Sequence, residues 1–161
     1  MLDKIDLKVL DMLQSNSRTK RSTLAEAVGL SIPSLSERLK KLEDHGVVEG
    51  YYTRLNPKIF GFDIIAIIHV ITESSKYYEK LIQNVNATPE IIECYSILGD
   101  GSHIMKAVVK RTSDLESLLG LIQSWAGVNR TVTSLVLSKI KETTALNIYN
   151  ETDEEFEKKK K

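Results

Sequence analysis

A glycine set between two short amphipathic stretches constrains this chain more than any other feature. Within Thr23–Leu42, the apolar residues Leu24, Ala25 and Val28 recur at helical spacing while Glu26 takes the wet side. Gly29 follows, a residue that reaches left-handed backbone angles at little steric cost, so Leu30 can drop between two helices. Ser31 suits an N-cap because its hydroxyl accepts from an otherwise unpaired amide, and Pro33 fits the first turn, where a missing N–H does no harm. The spacing predicts a second helix from about Ile32, with Ile32, Leu35, Leu39 and Leu42 on one apolar stripe. Pro33, Ser34, Glu37, Arg38, Lys40 and Lys41 then face outward, small and polar first and basic further on. Such a helix-turn-helix suits a recognition helix, whose first residues reach base edges in the major groove while basic residues approach phosphates. An ordinary helical hairpin with a solvated charged face has the same periodicity, so context decides.

The flanking residues supply that context. Ile5, Val9, Met12 and Leu13 define an earlier amphipathic helix, with Asp3 or Asp6 near its start and Asn16 near its end, so three helices share one small core. Asp44-His45-Gly46 stops the third helix, and the β-branched and aromatic residues of Val47–Leu55 suggest a strand or wing. A winged helix-turn-helix over residues 1–54 is expected, with a linker at 55–62 punctuated by Asn56-Pro57 and Gly61.

Residues 63–148 alternate strand and helix. Strands are expected at Ile64–Ile71, Glu90–Leu98, His103–Lys110 and Val128–Leu137. Helices are expected from Ser75 to about Asn86 and from Asp114 to Trp125, the latter capped by Ser113 or Asp114, and Gly99-Asp100-Gly101 reads as a hairpin turn. The order β-α-β-β-α-β is a ferredoxin-like split unit, making the whole chain α+β. Its first strand is apolar at Ile64, Ile65, Ala66, Ile67, Ile68, Val70 and Ile71, on both pleat faces, and so needs cover on both sides. Two helices cover one face, and a second copy of the sheet is the economical cover for the other. A homodimer of this kind would carry two recognition helices to two half-sites. Residues 149–161, almost all charged from Glu151 and ending in four lysines, read as a solvated or disordered tail.

Charge narrows the function. The 22 Lys and Arg balance 22 Asp and Glu, and residues 1–54 carry nine basic against eight acidic side chains, so any DNA contact must come from a local patch. Cys94 is the only cysteine, which excludes an intrachain disulfide and a disulfide-stapled secreted fold. The first residues do not form a signal peptide, and the longest apolar run, Ile64–Ile71, is too short to cross a bilayer, so a cytoplasmic protein without membrane contact is expected.

Several blocks together resemble the Lrp/AsnC family of transcription regulators. They are Leu2-Asp3 with Ile5 and Asp6, the segment Leu24-Ala25 to Val28-Gly29-Leu30-Ser31, Arg38-Leu39 to Leu42-Glu43, Gly46-Val47-Val48 to Gly50-Tyr51, and Leu55-Asn56-Pro57. Pro89–Tyr95, Gly99-Asp100, Gly127-Val128 and Thr131 with Thr133 are similar to that family's effector-binding domain, and the resemblance runs from Leu2 to about Leu146. It implies dimerisation through the sheet, assembly of dimers into tetramers or octamers, and pseudo-palindromic double-stranded DNA as partner. It also implies DNA contacts at Ser31, Pro33, Ser34, Glu37, Arg38 and Lys41, while Thr19, Lys20, Arg21 and Ser22 around the start of the preceding helix suit phosphates. An amino-acid effector is implied at Gly99, Asp100 and Ser102 with Thr133, Ser134 and Leu135. The family's turn is commonly Gly-Asp-x-Asp followed by an aromatic, whereas here Ser102 and His103 take the last two places. A serine cannot neutralise an ammonium as a carboxylate does, so a plain hairpin turn without a ligand stands beside the effector reading.

Enzyme readings find little footing. His45, His69 and His103 have no metal-ligand spacing, one cysteine cannot build a cysteine-clustered zinc site, and Gly99-x-Gly101 lacks the glycine and helix of a phosphate loop. No metal or cofactor is expected. Two alternatives share the architecture: siroheme decarboxylases, which resemble it and bind a tetrapyrrole near histidine, and an architectural DNA binder without effector.

Overall fold

A computed structural model describes residues 2–99 and 101–149, so the expected tail from residue 150 onward and Asp100 lie outside the described residues. The chain divides into two compact units, residues 1–54 with 141 onward, and residues 55–140.

The first unit is built on three helices, α1 (Lys4–Ser15), α2 (Arg21–Val28) and α3 (Ile32–Asp44). Asp3 caps α1 in a capping box: its carboxylate accepts from the Asp6 amide at 2.8 Å, and the Asp6 carboxylate accepts from the Asp3 amide at 2.9 Å. Between α2 and α3 Gly29 sits at φ 67°, ψ 33°, which lets the Leu30 amide donate back to the Ala25 carbonyl at 2.9 Å and closes α2 sharply. Ser31 caps α3, accepting from the Ser34 amide at 3.2 Å, and Pro33 lies in the first turn. Val9, Leu24, Ala25, Leu35 and Leu39 form the core, with Ile5, Met12, Leu13 and Val28 packed around it. Ile32, expected on the same stripe, is half exposed, because it precedes the first full turn that faces α1 and α2.

One expectation changes here: of the strand or wing suggested at Val47–Leu55, no strand forms. The Val47 and Val48 amides instead turn back to the Leu42 carbonyl at 2.9 and 3.2 Å, and the Tyr51 hydroxyl donates to Glu43 at 2.9 Å, leaving no neighbouring strand of the unit for a ladder. The second compact unit closes at Ile140, within the expected 63–148 domain. Residues beyond it join the first unit, where Gln14 exchanges two hydrogen bonds with the Leu146 backbone (3.1 and 2.6 Å) and Arg54 pairs with Glu142.

The second unit is a four-stranded antiparallel sheet of β1 (Ile64–Thr72), β2 (Ile91–Ser96), β3 (His103–Val109) and β4 (Val128–Leu135), in the order β2-β3-β1-β4. The helices are α4 (Tyr78–Asn86) and α5 (Thr112–Gln123). A 3₁₀ turn at Pro57–Phe60 occupies the expected linker, and another at Ser75–Tyr77 leads into α4. The cap of α5 differs from expectation: Arg111 holds the cap position, with its backbone amide donating to the Asp114 carboxylate at 3.1 Å, so Asp114 lies inside the first turn.

Ala66, Ile68 and Val70 of β1, with Met105, Ala107 and Val109 of β3, point into a core closed by Leu81, Leu115, Leu118, Ile122 and Trp125. The alternate residues of β1 and β3, among them Ile65, Ile67, His69, Ile104 and Val108, lie half-buried on the opposite face, away from α4 and α5. Register places Tyr95, Ile104, His69 and Val132 in one row across that face.

Leu35→Ala removes a fully buried side chain from the three-helix core. It is expected to cost about 2–5 kcal/mol, whereas Ile32→Ala costs well under half of that; urea denaturation followed by circular dichroism checks both.

Candidate functional site

The outward face of α3 carries the residues expected at DNA. Ser31, Pro33, Ser34, Glu37 and Lys41 are exposed, and Lys20, Arg21 and Ser22 lie exposed around the start of α2. Thr19 is half-buried, its hydroxyl donating to the Asn16 carbonyl at 2.7 Å in the turn that precedes α2. The Arg21 guanidinium donates to the Ser36 hydroxyl at 3.3 Å, tying α2 to α3. Lys41 pairs with Glu37 one turn back at 2.9 Å, an exposed contact that a phosphate can replace at small cost. The Lys41 ammonium holds the Glu37 carboxyl below its ordinary value.

Arg38 sits differently from its expected place on the outward face. Its Nη1 donates to Asp6 Oδ1 and to Asp3 Oδ2, both at 2.7 Å, and its side chain is 29% exposed. The guanidinium therefore bolts α3 to the capping box of α1. The bond to Asp6, then that to Asp3, raises the Arg38 pKa despite burial. Burial pushes Asp3 upward, but the Asp6 amide and Arg38 outweigh it and leave the carboxyl below its ordinary 3.8. Geometry alone thus assigns Arg38 to holding the helix pair; a phosphate would have to compete with two carboxylates.

The expected effector residues do not converge within one chain. Gly99 and Ser102 lie where β2 turns into β3, whereas Thr133 pairs with Ile68, four residues along β1 from the Thr72 end that Ser102 touches. At about 3.3 Å per residue, that separates them by roughly 13 Å. Ser134 faces the uncovered side of the sheet opposite Ile67, and Leu135 is exposed at the strand end. Asp100 lies outside the described residues.

Ser102 turns inward instead. Its hydroxyl meets the Val70 carbonyl at 3.0 Å, the Thr72 amide at 3.2 Å, the Thr72 hydroxyl at 3.0 Å and His103 Nδ1 at 3.1 Å. His103 is 5% exposed, and its Nε2 has no hydrogen-bond partner among the described residues. Both residues line a cavity of about 190 Å³ beside Tyr77, Tyr78 and Leu81. Burial pushes the His103 pKa below 6.5, keeping the ring neutral at physiological pH. The pattern of β3 holds the signal for this residue: His103 shares the inward phase of Met105, Ala107 and Val109.

Among the described residues no group of three metal-ligating side chains occurs, and no helix is long and apolar enough to cross a membrane.

A three-helix head with a glycine-turned recognition helix, joined to a ferredoxin-like unit, defines a DNA-binding transcription regulator. Residues 2–49 match the family model for winged helix-turn-helix DNA-binding domains, and residues 65–146 match that for the Lrp/AsnC ligand-binding domain. The chain belongs to the Lrp/AsnC family of transcription regulators. It is 34% identical over 147 residues to the HTH-type transcriptional regulator FL11 of Pyrococcus horikoshii, covering 91% of this chain and 97% of that one. It is also 34% identical over 148 residues to the leucine-responsive regulatory protein of Haemophilus influenzae, covering 90% and 89%. Among solved structures, the transcriptional regulator NMB0573 of Neisseria meningitidis in complex with L-Met aligns with a TM-score of 0.88 at 32% identity, covering 93% of this chain and 99% of that one.

Arg38→Gln is expected to destabilise the first unit by about 1–3 kcal/mol, because Asp6 loses its charged donor while buried. The lowered Asp3 carboxyl contributes stability that is complete above its ordinary 3.8 and is lost as pH falls through its folded value. Denaturant titrations at pH 7 and pH 3 should show the wild type losing this increment on acidification and Arg38→Gln losing less.

Proposed function

We propose that this chain regulates transcription as a homodimer that reads pseudo-palindromic double-stranded DNA with α3, and that a small molecule such as an amino acid tunes it. The observation that carries the reading is α3 itself. Gly29 sets it apart from α2, Ser31 caps it, and its exposed first turn is small and polar while Lys41 stands further along. Small hydroxyl side chains can approach base edges, while Lys41 and Lys20 are placed to meet phosphates. Arg21 and Ser22 join them at the start of α2, where helix amides favour an anion. Pro33 and Glu37 complete the exposed face, with Glu37 released from Lys41 on binding.

The dimer reading is supported by the uncovered sheet face. Ile65, Ile67, Ile104, Val108 and Val132 present apolar surface there, and a two-fold contact between identical sheets would bury it on both copies. The effector reading is supported by the relatives: NMB0573 and the feast or famine regulatory protein Rv3291c of Mycobacterium tuberculosis were each solved with L-methionine. The latter aligns at a TM-score of 0.84 and 29% identity.

A gel-shift titration against the DNA upstream of the chain's own gene, with and without each amino acid, tests the reading, and no shift at low salt with any promoter fragment would overturn it. Lys41→Gln should weaken all sites alike and make the salt slope shallower by about one, whereas Ser34→Ala should change sequence preference and leave the slope alone. Ile67→Lys places a charge in the proposed interface and should convert the dimer to monomer in analytical ultracentrifugation; an unchanged sedimentation coefficient would refute the sheet-to-sheet contact.

A further inference from the structure

The hydrogen bonds around Ser102 determine what the His103 cavity offers. A carbonyl can only accept, and a serine has one hydroxyl proton. Ser102 Oγ stands within hydrogen-bond reach of the Val70 carbonyl at 3.0 Å, the Thr72 amide, the Thr72 hydroxyl and His103 Nδ1, and its one proton and two lone pairs accommodate Nδ1 as donor or as acceptor. In either tautomer Nε2 is left buried and without a partner among the described residues. Buried polar atoms without partners are uncommon, and each calls for one.

The walls limit what that partner can belong to. Tyr77, Tyr78, Leu81 and Ala126 supply carbon surface, Thr72 and four serines supply hydroxyls, and no carboxylate, ammonium or guanidinium group lines the cavity among the described residues. A charged ligand would lose hydration there without a counter-charge. The Tyr78 ring stands 5.8 Å from the His103 ring at a 32° tilt, so the two rings pack against each other at the site. Tyr77 lies close against Gly127, where a Cβ would come within 2.4 Å of its ring. A volume of about 190 Å³ is slightly more than the roughly 150 Å³ known to accept benzene.

We infer that this cavity, lying within a single subunit, binds a small uncharged molecule of about one ring that carries a hydroxyl, able to donate to or accept from His103 Nε2, in the manner of a phenol or an aromatic alcohol. The site uses neither α3 nor the uncovered sheet face, so it stands whether or not the DNA and dimer readings hold.

The test is an NMR titration of the full chain, with ¹⁵N-labelled histidine, using phenol, toluene and benzoate as probes. Phenol should move the His103 Nε2 resonance saturably, toluene, which lacks a hydroxyl, should bind at least tenfold more weakly, and benzoate should not bind. His103→Phe should erase the preference for phenol over toluene, and His103→Gln, whose amide both donates and accepts, should retain part of it. The wild-type comparison decides the matter even if neither variant folds. No saturable shift at His103 means that solvent alone meets Nε2 and overturns the site; equal binding of phenol and toluene, or binding of benzoate, overturns the assigned chemistry.

Discussion

The second unit depends on β1 being central. Hydrogen bonded to β3 on one edge and β4 on the other, β1 has no exposed backbone edge, and its inward residues Ala66, Ile68 and Val70 are fully buried. Because the same strand is apolar on its other face, covering it with α4 and α5 satisfies only half of its surface. The geometry thus leaves a broad half-buried patch of Ile65, Ile67, Ile104 and Val108 around His69. In the proposed dimer that patch is the contact, and the symmetry it would impose is what carries one short recognition helix to a two-part site.

Charge economy in the first unit has a structural origin. Of the cations on α3, Arg38 is held by Asp3 and Asp6 and Lys41 is loosely paired with Glu37, while Lys40 is exposed, so the helix shows less free positive charge than its sequence suggests. The carboxylates that cap α1 also hold α3, which couples the first helix to the orientation of the third. A head with so little net charge gains little from nonspecific attraction to phosphate, so in the proposed reading it leans on shape and on the polar first turn of α3.

Much of the fold was legible because its signals are local. Gly29, Ser31 and Pro33 mark one turn and one helix start by backbone chemistry alone, and the strand and helix periods of residues 64–135 place each element within a few residues. The structure departs from the local pattern where a distant partner decides. The residues after α3 have strand composition, yet their hydrogen bonds run to the end of α3, to Glu43 and, from Arg54, to Glu142. The return of Lys141–Tyr149 to the first unit rests on Gln14 and Arg54, more than eighty residues away, and no local pattern encodes it. The candidate site divides the same way. The exposed face of α3 follows from helical spacing, whereas the role of Arg38 and the inward turn of Ser102 follow from contacts with other elements.

By itself the sequence determined the two-unit α+β plan, the glycine-turned recognition helix, the strand order along the chain and membership of a family of regulators, because periodicity, caps and turn residues act over a few positions. Only the tertiary structure decided that Arg38 fastens α1 to α3, that Ser102 and Thr133 stand apart, and that His103 ends buried beside an uncharged cavity with one nitrogen unpartnered. Each of these depends on side chains brought together from distant strands and helices, and hydrogen-bond geometry over a few ångströms is a property of the packed chain.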